Sequence, residues 1–203
     1  MSLCKSSLHA LLFVAVASTA AAQGSPPYRW GVHFRTSGTN LNQGVAVDHA
    51  GNIYVAGERM VEGEHAFVAK YSSTGEHVWT RAGGPGVVNG FSVAVSPDGF
   101  VFVTGVFYDT VDFGGGPVQA RGGDVFVVKY TDDGEYVWSR GFGVPTYVDV
   151  GKSVAADAQG NVVVVGMFQA GTADFGGVTH TAIGPDIFVA KYDGNGQHVW
   201  SDG

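Results

Sequence analysis

The apolar residues of this chain fall in short runs, each bounded by glycine or by a cluster of small polar residues. Outside the N-terminal segment no run keeps a 3.6-residue apolar period, so the pattern predicts β-strands rather than helices. In VFVVKY at 125–130, apolar side chains would point to both faces of a strand, and only Lys129 interrupts them. Strands with two apolar faces belong to sheets that are covered on both sides. We therefore expect an all-β protein built from stacked sheets.

The strand-like runs recur in three units that share residues at corresponding positions. GVAVDHAGNIYVAG at 44–57 is similar to GFSVAVSPDGFVFVTG at 90–105 and to GKSVAADAQGNVVVVG at 151–166. KYSSTGEHVW at 70–79 returns as KYTDDGEYVW at 129–138 and as KYDGNGQHVW at 191–200. Repetition on this scale is typical of propellers and other arrays of one supersecondary unit.

Each unit predicts four antiparallel strands. Glycine-containing turns separate the first two strands and the last two, because glycine takes the positive φ that other residues resist. Gly57, Gly105 and Gly166 are predicted to end the second strand of their units. The other repeated positions are interpreted as structural, the tryptophans as packing between units: Trp79, Trp138, Trp200, Tyr71, Tyr130 and Tyr192.

Four-stranded sheets stacked face to face around an axis form a β-propeller. The predicted blades cover about 44–81, 90–140 and 151–201, and PPYRWGVHF at 26–34 predicts one extra N-terminal strand. Because known rings take roughly 4 to 8 blades, three blades predict an incomplete ring. The chain is interpreted as a fragment of a longer propeller, with assembly of several copies into a ring as the alternative. Exposed end blades would then favour self-association.

The units resemble the bacterial SBBP repeats, a family named for a presumed seven-bladed β-propeller. The residues that carry the resemblance are G-x-S-V-A-V-x-x-x-G-N-x-x-V-x-G, D-F-G-G, D-x-F-V-x-K-Y and G-x-x-V-W, within about 28–203. The resemblance implies a secreted or cell-surface propeller. The first unit departs from the pattern, because it lacks D-F-G-G and has His65 where the other units have Asp124 and Asp186.

The N-terminus predicts a secretory signal peptide over residues 1–22. Lys5 precedes an apolar run at 11–17, and three alanines precede Gln23. A membrane-spanning helix needs roughly 20 apolar residues, so a retained anchor is the less favoured interpretation. Cleavage would remove Cys4, the single cysteine, and residues 23–203 would then contain neither a disulfide nor a cysteine-bound metal. The predicted location is secreted: extracellular, periplasmic or at the cell surface.

The charge of the chain excludes some classes of partner. The formal net charge is -7, and no stretch is rich in lysine and arginine. Nucleic acids need a basic surface, so they are not expected partners. No second hydrophobic segment or basic amphipathic stretch supports an integral membrane role after signal cleavage. The expected partner is an extracellular protein or a glycan.

The sequence predicts no cofactor and no metal site, and it identifies no catalytic residue. His77 and His198 lie two residues before a tryptophan, where the second unit has Tyr136, so they are interpreted as outer-strand residues rather than metal ligands. The Asp-rich turns at 131–135 and 193–197 offer oxygen atoms that would suit Ca²⁺. They lack the ligand spacing of an EF-hand loop, and Asx-type turn stabilisation is the favoured interpretation.

The expected function is a non-enzymatic binding or surface-scaffold module. The alternative is an enzyme, such as a lyase, a glycosidase or a quinoprotein, whose active groups come from several blades. Residues 74–79 resemble a quinoprotein docking motif, but only the first unit keeps the threonine. Propellers host both classes, so the fold alone does not decide. The repeated lysines and acids are interpreted as pairing neighbouring strands: Lys70, Lys129, Lys191, Asp124 and Asp186.

Export is an expected outcome of the N-terminal pattern. If residues 1–22 are a signal peptide, a bacterial host will release a chain that begins at or near Gln23, because signal peptidase cleaves after small residues. N-terminal sequencing of protein from the periplasm or medium measures the outcome. A cytosolic protein that retains Met1 would contradict it.

Overall fold

The structure, a computed structural model, describes residues 41–61, 64–84, 86–145 and 147–203. The signal peptide and the extra strand at 26–34 lie outside these residues. Within the described ranges the chain forms strands joined by turns and loops, so the all-β prediction is confirmed. No helix in this part of the chain has the length and apolar character needed to cross a membrane.

The strands form three four-stranded antiparallel sheets, in which the strand order follows the chain. The first sheet comprises β1 (Leu41–Val47), β2 (Ile53–Val61), β3 (Glu64–Tyr71) and β4 (His77–Ala82). The second comprises β5 (Val88–Val95), β6 (Val101–Asp112), β7 (Pro117–Tyr130) and β8 (Tyr136–Phe142). The third comprises β9 (Val150–Ala156), β10 (Val162–Phe168), β13 (Asp186–Tyr192) and β14 (His198–Asp202). Between β10 and β13, β11 (Gly171–Asp174) and β12 (Thr179–Ala182) form a separate hairpin.

The turns follow the predicted glycine chemistry. Gly51, Gly99 and Gly160, between the first and second strands of the sheets, have φ of 81°, 89° and 75°. Gly75, Gly134 and Gly196, between the third and fourth strands, have φ of 89°, 80° and 77°. Only glycine takes this conformation at no steric cost, so these positions fix where each strand reverses.

The prediction that three glycines end the second strands is wrong. Each strand continues beyond its glycine, to Val61, Asp112 and Phe168. The neighbouring first strand instead bulges opposite Gly105 and beside Gly166. A Cβ at Gly105 would collide with the backbone oxygen of Asn89. These glycines therefore admit the close approach of the bulged strand.

Consecutive sheets pack against each other, with β5 beside β1 and β9 beside β5. The core between the first two sheets contains valine and aromatic side chains such as Tyr54, Val103 and Phe126. The core between the second and third sheets contains Phe102, Val127 and Val164. The second sheet is thus buried on both faces, which accounts for its strands being apolar on both sides.

One aromatic ring of each preceding sheet inserts among three rings of the next. Phe67 contacts Phe113, Phe126 and Tyr130, with ring centroids 5.6 to 6.3 Å apart. Phe142 contacts the corresponding rings of the third repeat unit at 5.1 to 6.3 Å: Phe188 and Tyr192 in the sheet and Phe175 in the β11–β12 hairpin. Phe67 lies where β3 departs from regular pairing with β4, between Ala66 and Val68. Phe67 and Phe142 do not occupy corresponding positions of their units. The bulge in β3 lets Phe67 fill, in the first junction, the space that Phe142 fills in the second.

The D-F-G-G segments fold back onto their own sheets. The hydroxyl groups of Tyr130 and Tyr192 donate to the backbone oxygens of Phe113 and Phe175, at 2.8 and 2.9 Å. A Cβ at Gly115 would collide with the ring of Tyr136. The second glycine of the segment is thus required because an outer-strand ring lies directly on it.

Candidate functional site

A repeated set of hydrogen bonds joins each sheet to the following one. In the first sheet, the indole Nε1 of Trp79 donates to the backbone oxygen of Asp132 at 2.9 Å, and the Lys70 Nζ donates to the same oxygen at 3.1 Å. The Arg81 Nε donates to the backbone oxygen of Gly134. Both acceptors lie in the turn between β7 and β8. We call this three-residue arrangement the Lys-Trp-Arg clamp.

The second sheet repeats the clamp on the third. Lys129 Nζ and Trp138 Nε1 donate to the backbone oxygen of Gly194, at 2.9 and 3.1 Å. Arg140 Nε donates to the backbone oxygen of Gly196 at 2.8 Å. A Cβ at Gly196 would lie 2.7 Å from the Trp138 ring, so glycine is needed where the indole covers the turn. Lys70 and Lys129 thus join sheets, whereas the sequence had suggested that the repeated lysines pair strands.

The electrostatics of the first clamp depend on Asp132. Its carboxylate accepts hydrogen bonds from the Lys70 ammonium and from the Tyr54 hydroxyl. Burial acts to raise the pKa of Asp132, but these two hydrogen bonds outweigh it and hold the pKa below its usual value. The charged carboxylate is therefore part of the contact. In the second clamp the corresponding turn residue is Gly194, and burial lowers the pKa of Lys129.

The third sheet keeps only part of the clamp. Lys191 forms an ion pair with Asp157 of its own sheet, with 3.0 Å between Nζ and Oδ2. Trp200 is 45% exposed, whereas Trp79 and Trp138 are each 8% exposed. Asp202 stands where the earlier sheets have arginine. Trp200 therefore does not pack between two sheets of the described chain, in contrast to the packing role expected for it.

The Asp-rich turns are held by their own side chains. The Asp193 Oδ1 accepts hydrogen bonds from the backbone N–H groups of Asn195 and Gln197, at 2.9 and 2.8 Å. In the second sheet the Thr131 Oγ1 accepts from the backbone N–H of Glu135 at 3.0 Å. These are the bonds of side-chain-stabilised turns. In the described part of the chain no three His, Cys, Asp or Glu residues come together as metal ligands.

The remaining repeat residues lie in the sheets rather than around a common centre. Tyr71 is buried and packs its ring against His77, with centroids 5.6 Å apart. His198 occupies the same position in the third sheet and contacts Tyr192. Asp186 is exposed at the start of β13, and its Oδ1 accepts the backbone N–H of Ile187.

A groove with charged and aromatic lining lies where the first and second sheets meet. It encloses about 630 Å³ and is lined by Arg81, Asp112, Tyr130, Glu135 and Tyr136, with backbone of the neighbouring turns. Arg81 comes from the clamp, Asp112 from the folded-back segment, and Glu135 from the turn that the clamp holds. We call it the junction groove. Its guanidinium can donate hydrogen bonds and its carboxylates can accept them. The half-buried ring of Tyr136 offers apolar surface, whereas Tyr130 is buried beneath the groove.

A second polar cluster is buried near the start of β9. Asp149 is fully buried, and its oxygens accept the backbone N–H groups of Val144 and Gln169 at 2.5 and 2.7 Å. Asp124 is 3% exposed, and its Oδ1 has no hydrogen-bond partner among the described residues. A Cβ at Gly143 would lie 2.7 and 2.8 Å from an oxygen of Asp149 and of Asp124. The two carboxylates therefore border the same small space.

Burial raises the pKa of both carboxyl groups, and the charge of Asp149 adds to the shift at Asp124. Asp149 was missed in the sequence because the acid is not repeated in the other units. A valine occupies the corresponding position of the second unit. The one signal in the sequence is that Asp149 stands between two valines, where an apolar residue would be expected.

No protein-family model matches the chain, and a comparison with the sequences of curated proteins found no match.

Replacing Trp138 tests the clamp. Trp138→Ala removes a buried ring and its hydrogen bond to Gly194, and is expected to lower the free energy of unfolding by about 3 to 5 kcal/mol. Trp200→Ala, at the exposed corresponding position, is the matched control and is expected to cost less than about 1 kcal/mol. Urea denaturation of both variants gives the values. Equal losses would place the two tryptophans in equivalent environments and contradict the structure.

Replacing Asp124 tests the buried acid pair. The raised pKa means that the folded state binds protons more tightly, so this group's stabilisation is present at low pH and disappears as pH rises through the folded pKa. Asp124→Asn is therefore expected to stabilise the protein at pH 7, by on the order of 1 kcal/mol. The gain should vanish as pH falls below the usual aspartate pKa.

Asp157→Asn is the control of opposite sign. Hydrogen bonds from Asn161 and Lys191 hold the pKa of Asp157 below its usual value, so this substitution should destabilise at neutral pH. Thermal melts of both variants from pH 3 to pH 8 measure the two trends. A destabilised Asp124→Asn variant at pH 7 would show that the native protein uses the charge at Asp124.

Proposed function

We propose that the chain is a secreted or cell-surface β-propeller repeat protein that acts as a non-enzymatic binding and scaffold module. The architecture is supported by the order of the strands. The first strands of consecutive sheets lie beside each other, while the fourth strands lie at the opposite side of each sheet. Sheets that stack in this way are the building units of a propeller. The repeat pattern, which resembles SBBP repeats, agrees with this arrangement.

The observation that carries the binding role is the junction groove. Three neighbouring elements bring an arginine, two carboxylates and a tyrosine ring to one concave surface. Sugars present hydroxyl groups that both donate and accept hydrogen bonds, and apolar ring faces that pack on aromatic side chains. A surface with donors, acceptors and an aromatic ring suits such a ligand. We therefore assign the groove to an extracellular glycan.

The junction between the second and third sheets presents a different surface at the corresponding positions. There Gln197 and His198 replace Glu135 and Tyr136, while Arg140 and Asp174 keep the charges. The Gly177 backbone lies against the His198 ring, as Gly115 lies against Tyr136. Ligand selection would then differ between junctions, although the contacts that build them are shared.

A glycan array tests the proposal with the full secreted chain. The expected result is binding to a defined subset of glycans, which are recovered intact. Glu135→Ala should weaken that binding roughly tenfold or more, because a hydrogen bond to a charged group contributes about 1.5 to 3 kcal/mol.

The matched control is Glu76→Ala. Glu76 occupies the same turn position in the first sheet and is exposed, but it does not line the groove. It should bind as the unmodified chain does. Absence of binding to every glycan, or equal weakening by the two variants, would contradict the proposed site. Cleavage of a bound glycan would contradict the non-enzymatic role.

A further inference from the structure

Two histidines of the third unit reach the same hydroxyl group. Nε2 of His180 lies 2.9 Å from the Oγ of Ser201, and Nε2 of His198 lies 3.0 Å from the same atom. His180 belongs to β12 of the separate hairpin, whereas His198 and Ser201 belong to β14. All three residues are half-buried. We call them the His-Ser-His cluster.

A bulge in β14 places His198 and Ser201 on the same side of the strand. The pairing of β14 with β13 shifts by one residue at Val199. In a regular strand, side chains three residues apart point to opposite faces, and the extra residue brings these two together. The same shift joins a ring to a hydroxyl in the other two sheets: His77 with Thr80, and Tyr136 with Ser139.

The hydrogen bonds of His180 determine which of its nitrogens carries a proton. Nδ1 of His180 lies 3.2 Å from the backbone oxygen of Gly203, which can only accept, so Nδ1 is the donor. In the neutral ring Nε2 then has a lone pair, which accepts the hydroxyl proton of Ser201. Histidines that bind metals usually donate their other ring N–H to such an acceptor. His180 is therefore already oriented as a metal ligand.

The second unit has the same arrangement of strands without the two histidines. Val118 occupies the position of His180 in the corresponding hairpin, and Tyr136 occupies the position of His198. The repeated fold therefore does not require an imidazole at either position. The pair is a feature of the third unit alone among the three.

Two imidazole nitrogens beside a hydroxyl suit a divalent transition-metal ion. Imidazole is a common ligand of zinc, copper and nickel, whereas calcium and magnesium prefer oxygen ligands. The two Nε2 atoms are at most about 6 Å apart, because each lies within 3.0 Å of one oxygen. A zinc ion that binds each nitrogen at about 2.0 to 2.1 Å brings them within about 4 Å of each other. Rotation of the two half-buried side chains can supply this change.

We propose that the His-Ser-His cluster binds a divalent transition-metal ion such as Zn²⁺. His180 and His198 bind the ion through Nε2, the Ser201 oxygen is a third, neutral ligand, and water completes a tetrahedral shell. The proton on Nε2 of His198 moves to Nδ1 of the same ring, and the Ser201 hydroxyl turns its proton to solvent. Because no third histidine, cysteine or acid joins the cluster among the described residues, the bound ion is exchangeable rather than structural.

Zinc titration tests the site in the full secreted chain, purified without a polyhistidine tag. The replacements are those that the second unit already carries, His180→Val and His198→Tyr, because the repeated fold accommodates both side chains. Isothermal titration calorimetry is expected to show one zinc ion per unmodified chain. Either variant should weaken binding about tenfold or more, since even the outer-shell partners of a metal contribute about 10- to 100-fold. Calcium should not compete with zinc.

His77→Tyr is the matched control. Nε2 of His77 contacts the Oγ1 of Thr80 at 2.8 Å, as His198 contacts a hydroxyl in the third sheet. In the first unit β2 ends at Val61 and β3 begins at Glu64, which leaves no room for a hairpin like the one that carries His180. This variant should therefore bind zinc as the unmodified chain does.

The second unit allows a test by gain of binding. Val118→His combined with Tyr136→His places two imidazoles near Ser139, as in the third unit. This double variant should bind two zinc ions per chain. Thermal melts without zinc show whether each variant folds, and the gain of a second ion remains a valid test where a loss variant unfolds.

The outcomes separate this inference from the proposed glycan binding. Weakening in His180→Val and His198→Tyr, with unchanged affinity in His77→Tyr, supports the site. It is overturned if the unmodified chain binds no zinc, if His77→Tyr weakens binding equally, or if the double variant gains no second ion. His180 does not line the junction groove, so glycan binding by His180→Val should be unchanged whatever the zinc titration shows.

Discussion

The stack depends on one interaction, the donation of buried N–H groups from one sheet to a backbone oxygen in the turn of the next. A buried indole or ammonium donor without an acceptor would cost free energy, so the two sheets must meet at this turn. The acceptor belongs to the backbone, and every turn residue can supply it. The turn can therefore change from Asp132 to Gly194 while the contact is kept.

The apolar part of each junction is conserved in space rather than in sequence position. Phe67 and Phe142 both insert among three rings of the following sheet, although one comes from β3 and the other from the end of β8. Close packing explains why the space must be filled, since an unfilled cavity would lose contacts on every side. It does not specify which strand supplies the ring. The bulge in β3 is the local change that allows the exchange.

The sequence could predict the features that depend on neighbours along the chain. Strand character follows from apolar runs, and the reversal points follow from glycines such as Gly51 and Gly134. The contacts between sheets could not be predicted in this way. The alternation of residues along a strand shows which side chains share a face, but it does not show which other sheet packs against that face. Lys70 was therefore assigned to strand pairing, and Gly105 to a strand end. The buried Asp124 and Asp149 pair was missed because it depends on a loop that is particular to one junction.

At each junction between sheets, some residues recur from unit to unit and others vary. The clamp and the folded-back segment use residues that recur, because each must satisfy buried donors or fill a buried space. The positions that follow the turn glycine, Glu135 and Tyr136 in one junction and Gln197 and His198 in the next, line the surface without holding the sheets together through their polar ends. Substitution at the exposed Glu135 and Gln197 costs little stability, as is usual for surface sites. A repeat built in this way can keep its architecture while each junction acquires its own ligand chemistry.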